Sequence, residues 1–188
     1  MRYKNWFSSG GRRRNFKRTF KHLKDQPAVY LEIGVFRGDS LSWMAQNILT
    51  HADSRAIGVD PWAPGCMGKK WTGAEINENY RLAQKAIRKW NDRIALAKQT
   101  SAEFFASGTL QPGTVDAIYL DGLHDPEPLT ADFRAAWELL KVGGVLIVDD
   151  YRARTSQIPA VIEALAVEYG GRWQELFRNY QIGFRKVA

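Results

Sequence analysis

The chain has a single cysteine, Cys66, in 188 residues. That excludes an internal disulfide and a cysteine-based zinc cluster, and makes a reducing, cytoplasmic compartment the simplest expectation. No run approaches the ~18 consecutive apolar residues of a membrane span. No apolar stretch comes after the basic N-terminus, so no secretory signal is expected. Acids are missing from one region only. Residues 1–24 carry nine of the 27 Lys/Arg and none of the 20 Asp/Glu, which leaves 18 basic against 20 acidic residues elsewhere. The net charge of +7 thus belongs to a basic arm in front of a slightly acidic body. Such an arm suits nucleic acid, anionic lipid or a phosphorylated ligand, or is simply solvated. Phe16, Phe20 and Leu23 recur at helical spacing, which predicts a short helix over residues 15–24 with one apolar stripe.

Beyond the arm, two kinds of apolar pattern alternate. Apolar runs at residues 28–33, 55–60, 94–97, 115–120 and 145–148 read as buried strands. Helical patterns at 41–49, 74–90, 102–106, 128–140 and 157–169 separate or succeed them. Two last segments, 173–177 and 181–186, suit an antiparallel hairpin at the C-terminal end. The pattern predicts an α/β fold, doubly wound around a mostly parallel seven-stranded sheet. Residues 1–27 are expected to form the basic arm and 28–188 a single domain.

Ligands of such sheets bind beyond the carboxyl ends of the strands. The first turn reads Glu32-Ile-Gly34-Val-Phe-Arg-Gly38-Asp-Ser40, without the G-x-G-x-x-G of a dinucleotide site. A carboxylate at Glu32 would repel a pyrophosphate but can accept hydrogen bonds from an ammonium or from hydroxyls. Gly34 permits the tight turn, and Gly38 lets the next helix start close to a ligand. Asp60, ending the second strand, is placed to take the two hydroxyls of a ribose. The ligand implied is an adenosine with a cationic amino-acid tail and no phosphates, S-adenosylmethionine. Two later strands end in Asp121-Gly-Leu-His124 and in Asp149-Asp150. They would bring three carboxylates and an imidazole to one edge of the sheet, a set suited to a hard divalent cation such as Mg2+ with a proton acceptor beside it.

From Ala28 to its end the chain resembles a class I S-adenosylmethionine-dependent methyltransferase, which implies a Rossmann-like methyltransferase fold. LEIGVFRGDSLSWMA is similar to the first motif of catechol O-methyltransferase-like enzymes. DGLHD and the later GGVLIVDDY resemble the metal-dependent branch that includes macrolide-sugar and aminocoumarin-sugar O-methyltransferases. By this resemblance Glu32 and Gly34 border the methionine end of the cofactor, with Phe36 and Ser40 close by. Asp60 binds the ribose, Trp62 flanks the adenine, and Thr100-Ser101 stand near it, Thr100 replacing a frequent acid. Asp121, which also borders the cofactor, would hold Mg2+ together with Asp149 and Asp150. His124 stands where catechol enzymes have a lysine base, with Asp125 as a competing base. The acceptor expected is a hydroxylated small molecule, a sugar diol or a catechol.

Two other readings stay open. A nucleic-acid methyltransferase could use the basic arm, although the Asn/Asp-Pro-Pro-aromatic tetrapeptide of amino-methylating enzymes is missing. A non-catalytic protein of the same fold would act through an interface and bind no S-adenosylmethionine. The loop 61–73, with Trp62, Cys66, Met67, Lys69, Lys70 and Trp71, suits a lid or a mobile surface loop equally. With little beyond the core to cap a substrate, a homo-oligomeric neighbour is expected to complete the pocket.

Overall fold

The computed structural model describes residues 6–9, 11–65, 71–153 and 156–188. Five strands run parallel: β1 (Val29–Ile33), β2 (Arg55–Val59), β3 (Ile94–Ala97), β4 (Val115–Leu120) and β5 (Leu140–Val148). β6 (Trp173–Arg178) and β7 (Ile182–Lys186) return as an antiparallel hairpin, and the sheet order is β3-β2-β1-β4-β5-β7-β6. This is the doubly wound, seven-stranded Rossmann-like sheet expected. The helices are α1 (Arg12–Phe20), α2 (Asp39–Asn47), α3 (Gly73–Ile87), α4 (Ser101–Ala106), α5 (Pro126–Leu139) and α6 (Ile158–Glu168).

Strand side chains alternate between two apolar layers, as a period of two requires. Leu31, Ile33, Ile118, Leu120, Leu146 and Val148 pack with Phe104, Phe133, Trp137 and Ile162 from α4, α5 and α6. Tyr30, Ala117, Tyr119, Val145 and Ile147 point the other way, to Phe16, Leu41, Met44 and Ile76 from α1, α2 and α3. The parity continues past the strand ends. Asp121 shares the parity of Tyr119, and Asp149 that of Ile147, toward the layer that contains α1.

α1 starts at Arg12, earlier than the apolar spacing predicts, and ends in a single 3-10 turn at Lys21–Leu23. Phe16 and Phe20 are wholly buried, and Phe16 meets Tyr119 edge-on at 4.9 Å between ring centres. Arg12 lies one helical turn before Phe16 on the same stripe, so the buried face of α1 begins with a guanidinium. Arg13, Arg14, Lys17 and Arg18 face outward, as do Lys21 and Lys24 beyond the helix. Two other boundaries differ from expectation. α5 starts at Pro126, whose fixed φ suits a first turn. β5 starts directly after α5 at Leu140, because Lys141, Gly143 and Gly144 hide its first half from an apolar reading.

Candidate active site

The carboxyl ends of the central strands open on a cleft of about 430 Å³, lined by the turn after β1, by Asp60, by Thr100-Ser101 and by the acidic edge after β4 and β5. That volume lies within the range of small-ligand sites. Gly34 has φ of 88°, and a Cβ there would fall 2.0 Å from the Asp121 carbonyl oxygen. The cofactor-type turn and the acidic edge are therefore in backbone contact. The Asp121 N–H donates to the Ile33 carbonyl at 2.8 Å, which fixes their register. Gly38 (φ 78°) does not line the cleft; a Cβ there would press on α3, at 3.2 Å from Ala86 Cβ. Its freedom serves the packing of α2 on α3. Phe36, Trp62 and Asp150 all have positive φ, 52°, 40° and 51°. Such conformations strain non-glycine residues and cluster at ligand sites.

Glu32 lies beneath the cleft and does not line it. It accepts hydrogen bonds from the Ser40 hydroxyl (2.5 Å) and the Tyr30 hydroxyl (2.8 Å). Burial pushes its carboxyl up to about 8, against those two bonds and with help from the charges of Asp121 and Asp60. Ser40 does line the cleft and connects Glu32 to it. Asp60 accepts from the Val35, Phe36 and Trp62 backbone N–H groups at 3.1, 2.9 and 2.9 Å. Burial raises its pKa while those three donors oppose the rise. Asp60 thus staples the turn to the end of β2, while still facing the cleft. Trp62 is buried, gives its indole N–H to the Phe36 carbonyl at 2.8 Å and lies 4.7 Å from the Tyr80 ring. It braces the turn and is not on the cleft wall; Trp71, against Phe36, is. Cys66, Met67, Lys69 and Lys70 fall outside the described residues. Thr100 caps α4 through a reciprocal pair with Glu103, and Ser101 is hydrogen-bonded to Asp132.

At the acidic edge, His124 stands between two carboxylates. Its Nε2 is 3.7 Å from Asp121 Oδ1 and its Nδ1 is 3.6 Å from Asp150 Oδ2. Burial opposes protonation of the ring, but Asp121, then Asp150 and Asp149, raise its pKa above the ordinary 6.5. Asp121, His124 and Asp150 can each point one ligand atom into a common space, all within 4.8 Å of one another. Among the described residues, His124 Nε2 has no hydrogen-bond partner. This set fits a divalent cation by its donors. Asp149 does not join it, because both its oxygens are engaged by Arg12 at 3.0 and 2.7 Å from Nε. Asp125 is exposed at the start of α5, away from the main cleft. A smaller cavity of about 270 Å³ opens between His124, Asp125, Asp150 and Gln157.

Two cleft residues escape a reading of motifs. Arg12 is 137 residues from its partner, and its only signal is its place at the head of the Phe16–Phe20 stripe. Asp132 interrupts the apolar face of α5 between Leu129 and Phe133, and an acid in such a stripe is itself a signal. Burial lifts its carboxyl to about 6 despite the Ser101 hydroxyl.

Residues 31–151 match the sequence profile of a family described as a methyltransferase domain. The chain belongs to that family. The methyltransferase is also 31 % identical over 163 residues to an uncharacterised protein of Acanthamoeba polyphaga mimivirus, across 85 % of this chain and 67 % of the relative. Its fold is similar to that of a proposed rRNA methylase from Clostridium thermocellum, with a TM-score of 0.67, 17 % identity and coverage of 100 % and 99 % of the two chains. An O-methyltransferase from Bacillus cereus, solved with S-adenosylhomocysteine, superposes with a TM-score of 0.58, 19 % identity and coverage of 85 % and 74 %. The protein is an S-adenosylmethionine-dependent methyltransferase. No helix among the described residues is long and apolar enough to cross a membrane.

Proposed function

We propose that this methyltransferase transfers the methyl group to a hydroxyl of a small acceptor, a sugar diol or a catechol. The observation that supports it is His124, held between Asp121 and Asp150 in the cleft that the Gly34 turn also lines. Gly34, Phe36, Ser40, Asp60 and Thr100-Ser101 would hold the donor, as S-adenosylhomocysteine is held by the Bacillus cereus enzyme's own site. Glu32 would act on the donor's ammonium through Ser40. The acceptor would enter at the acidic edge. His124 takes the hydroxyl proton, the oxygen forms its bond to the methyl carbon, and the carbon–sulfur bond breaks with its electrons remaining on sulfur. Asp121 and Asp150 stabilise the imidazolium so formed. The protein's main contribution is to align acceptor, methyl and sulfur, because the sulfonium is already reactive.

Asp121, His124 and Asp150 could instead hold a divalent cation, which would supply Lewis acidity to acceptor oxygens when bound; His124 would then be a ligand and would not take the proton. Mg2+ prefers oxygen donors, so a set with one imidazole suits a transition metal better than three aspartates would. The test is transfer of labelled methyl from S-adenosylmethionine to a panel of sugar diols and catechols, with and without EDTA. Transfer to at least one of them is expected, with His124→Ala reducing it by about 10²–10⁴-fold. The rate should rise with pH through a value above 6.5, since the raised pKa of His124 leaves less of the neutral base at low pH. Turnover unchanged by EDTA would remove the metal. A chain that binds the donor and methylates no hydroxylated small molecule would end the proposal.

One observation favours a second acceptor class. The outward face of α1 is strongly cationic, its inward face reaches the cleft, and the similar Clostridium thermocellum fold is a proposed rRNA methylase. A salt-dependent gel shift with RNA, lost on neutralising Arg13, Lys17 and Lys21, would support it.

A further inference from the structure

The Arg12 guanidinium occupies the side of the acidic edge where a metal's charge was expected. Besides its two Nε contacts, Nη2 lies 2.6 Å from Asp149 Oδ2 and 2.9 Å from Asp150 Oδ1. The guanidinium carbon is 4.4 Å from the centre of the Tyr180 ring, and the side chain is only 9 % exposed. Both Asp149 oxygens and one Asp150 oxygen are thus spoken for by N–H donors whose charge is permanent. Tyr119 donates to Asp121 Oδ2 at 3.1 Å, so the oxygen that faces His124 is Asp121 Oδ1. A cation at this edge has Asp121 Oδ1, His124 and Asp150 Oδ2 as donors and a buried positive charge on its far side. Repulsion between like charges is strong in so shielded a place. Phe16 and Phe20 hold the helix that delivers Arg12, one and two turns further along its buried stripe.

We propose that Arg12 is a built-in competitor of the metal: its ion pair withholds Asp149 from the donor set, so that docking of α1 sets the divalent affinity of the cleft. This rests on the proposed function, in which Asp121, His124 and Asp150 are where a cation binds. A purely structural ion pair would leave metal affinity untouched when it is broken. A competitor would raise it, because one repulsive charge is lost and two carboxylates are released.

The experiment is a Mn2+ titration monitored by electron paramagnetic resonance on the full chain, for wild type, Arg12→Met and Arg12→Lys. Binding of S-adenosylmethionine, measured by calorimetry on the same samples, reports on fold and donor site. Arg12→Met should bind Mn2+ at least about tenfold more tightly than wild type, and Arg12→Lys should remain near wild type. Equal or weaker binding by Arg12→Met, or equal tightening by Arg12→Lys, overturns the proposal. Should Arg12→Met fail to fold, Arg12→Gln carries the test: it should bind Mn2+ about tenfold more tightly than wild type, and equal or weaker binding overturns the proposal. If neither wild type nor Arg12→Met binds Mn2+, the competition and the metal part of the functional reading both fall. Retained donor binding in that case leaves the transferase standing.

Discussion

Glu32 is the residue whose chemistry departs most from its appearance in the sequence. Its position at the end of β1 marks it as a polar ligand contact, yet the strand parity sends its side chain inward, to Tyr30 and Ser40. Burial dominates and lifts its carboxyl from 4.5 to about 8. The folded chain therefore keeps a proton that the unfolded chain releases, and stability falls as pH rises from about 4.5 to about 8. Glu32→Gln should flatten that fall by up to about 1.4 kcal/mol per pH unit, as measured by denaturant unfolding of the ligand-free chain. An unchanged slope would mean that Glu32 is ionised throughout. The other site residues divide by the same logic. Gly34, Asp60, Asp121 and His124 were legible because strand ends and turns fix where they point. Trp62 was not, since a residue just past a strand end can turn inward, and here its indole found the Phe36 carbonyl.

Among the elements, α1 carries the most information that the pattern alone concealed. The spacing of Phe16, Phe20 and Leu23 predicts the helix and its apolar stripe, but in a run with nine basic residues and no acid nothing marks Arg12 as the one that turns inward. Folded, the charges occupy one face, and the apolar stripe packs on Tyr119 of β4 and Tyr30 of β1. The stripe should dominate stability. Phe16→Ala is expected to cost about 3–5 kcal/mol, since it empties a wholly buried site among Phe7, Phe20, Trp43 and Tyr119. Changing the outward Arg14 or Lys17 to Ala should alter stability by no more than about 0.5 kcal/mol. Chemical denaturation checks both; similar costs for the two faces would contradict the packing described. The strands were legible for the opposite reason. Each central strand is a short apolar run bounded by turn residues, and only β5, interrupted by Gly143 and Gly144, lost its first half.

The whole molecule is a doubly wound sheet in which one cleft joins two chemistries. On one wall is the turn after β1, stapled by Asp60 and closed on Asp121, where the methyl donor is proposed to bind. On the other wall His124 sits between Asp121 and Asp150, with Arg12 balancing the acids behind them. The mostly parallel, doubly wound sheet was readable from the alternation of elements, and parallel strands place their carboxyl ends on the same side. The pairing of Arg12 with Asp149 was not, because only the folded sheet brings residues 137 positions apart into contact. The arrangement requires the donor's sulfur to face the acidic edge, with the adenosine toward Asp60 and Ser101. A crystal structure with S-adenosylhomocysteine bound would decide this. The homocysteine sulfur should lie in the cleft between the Gly34 turn and His124; a sulfur turned away from Asp121 and His124, or a ligand bound outside the cleft, would contradict the site described.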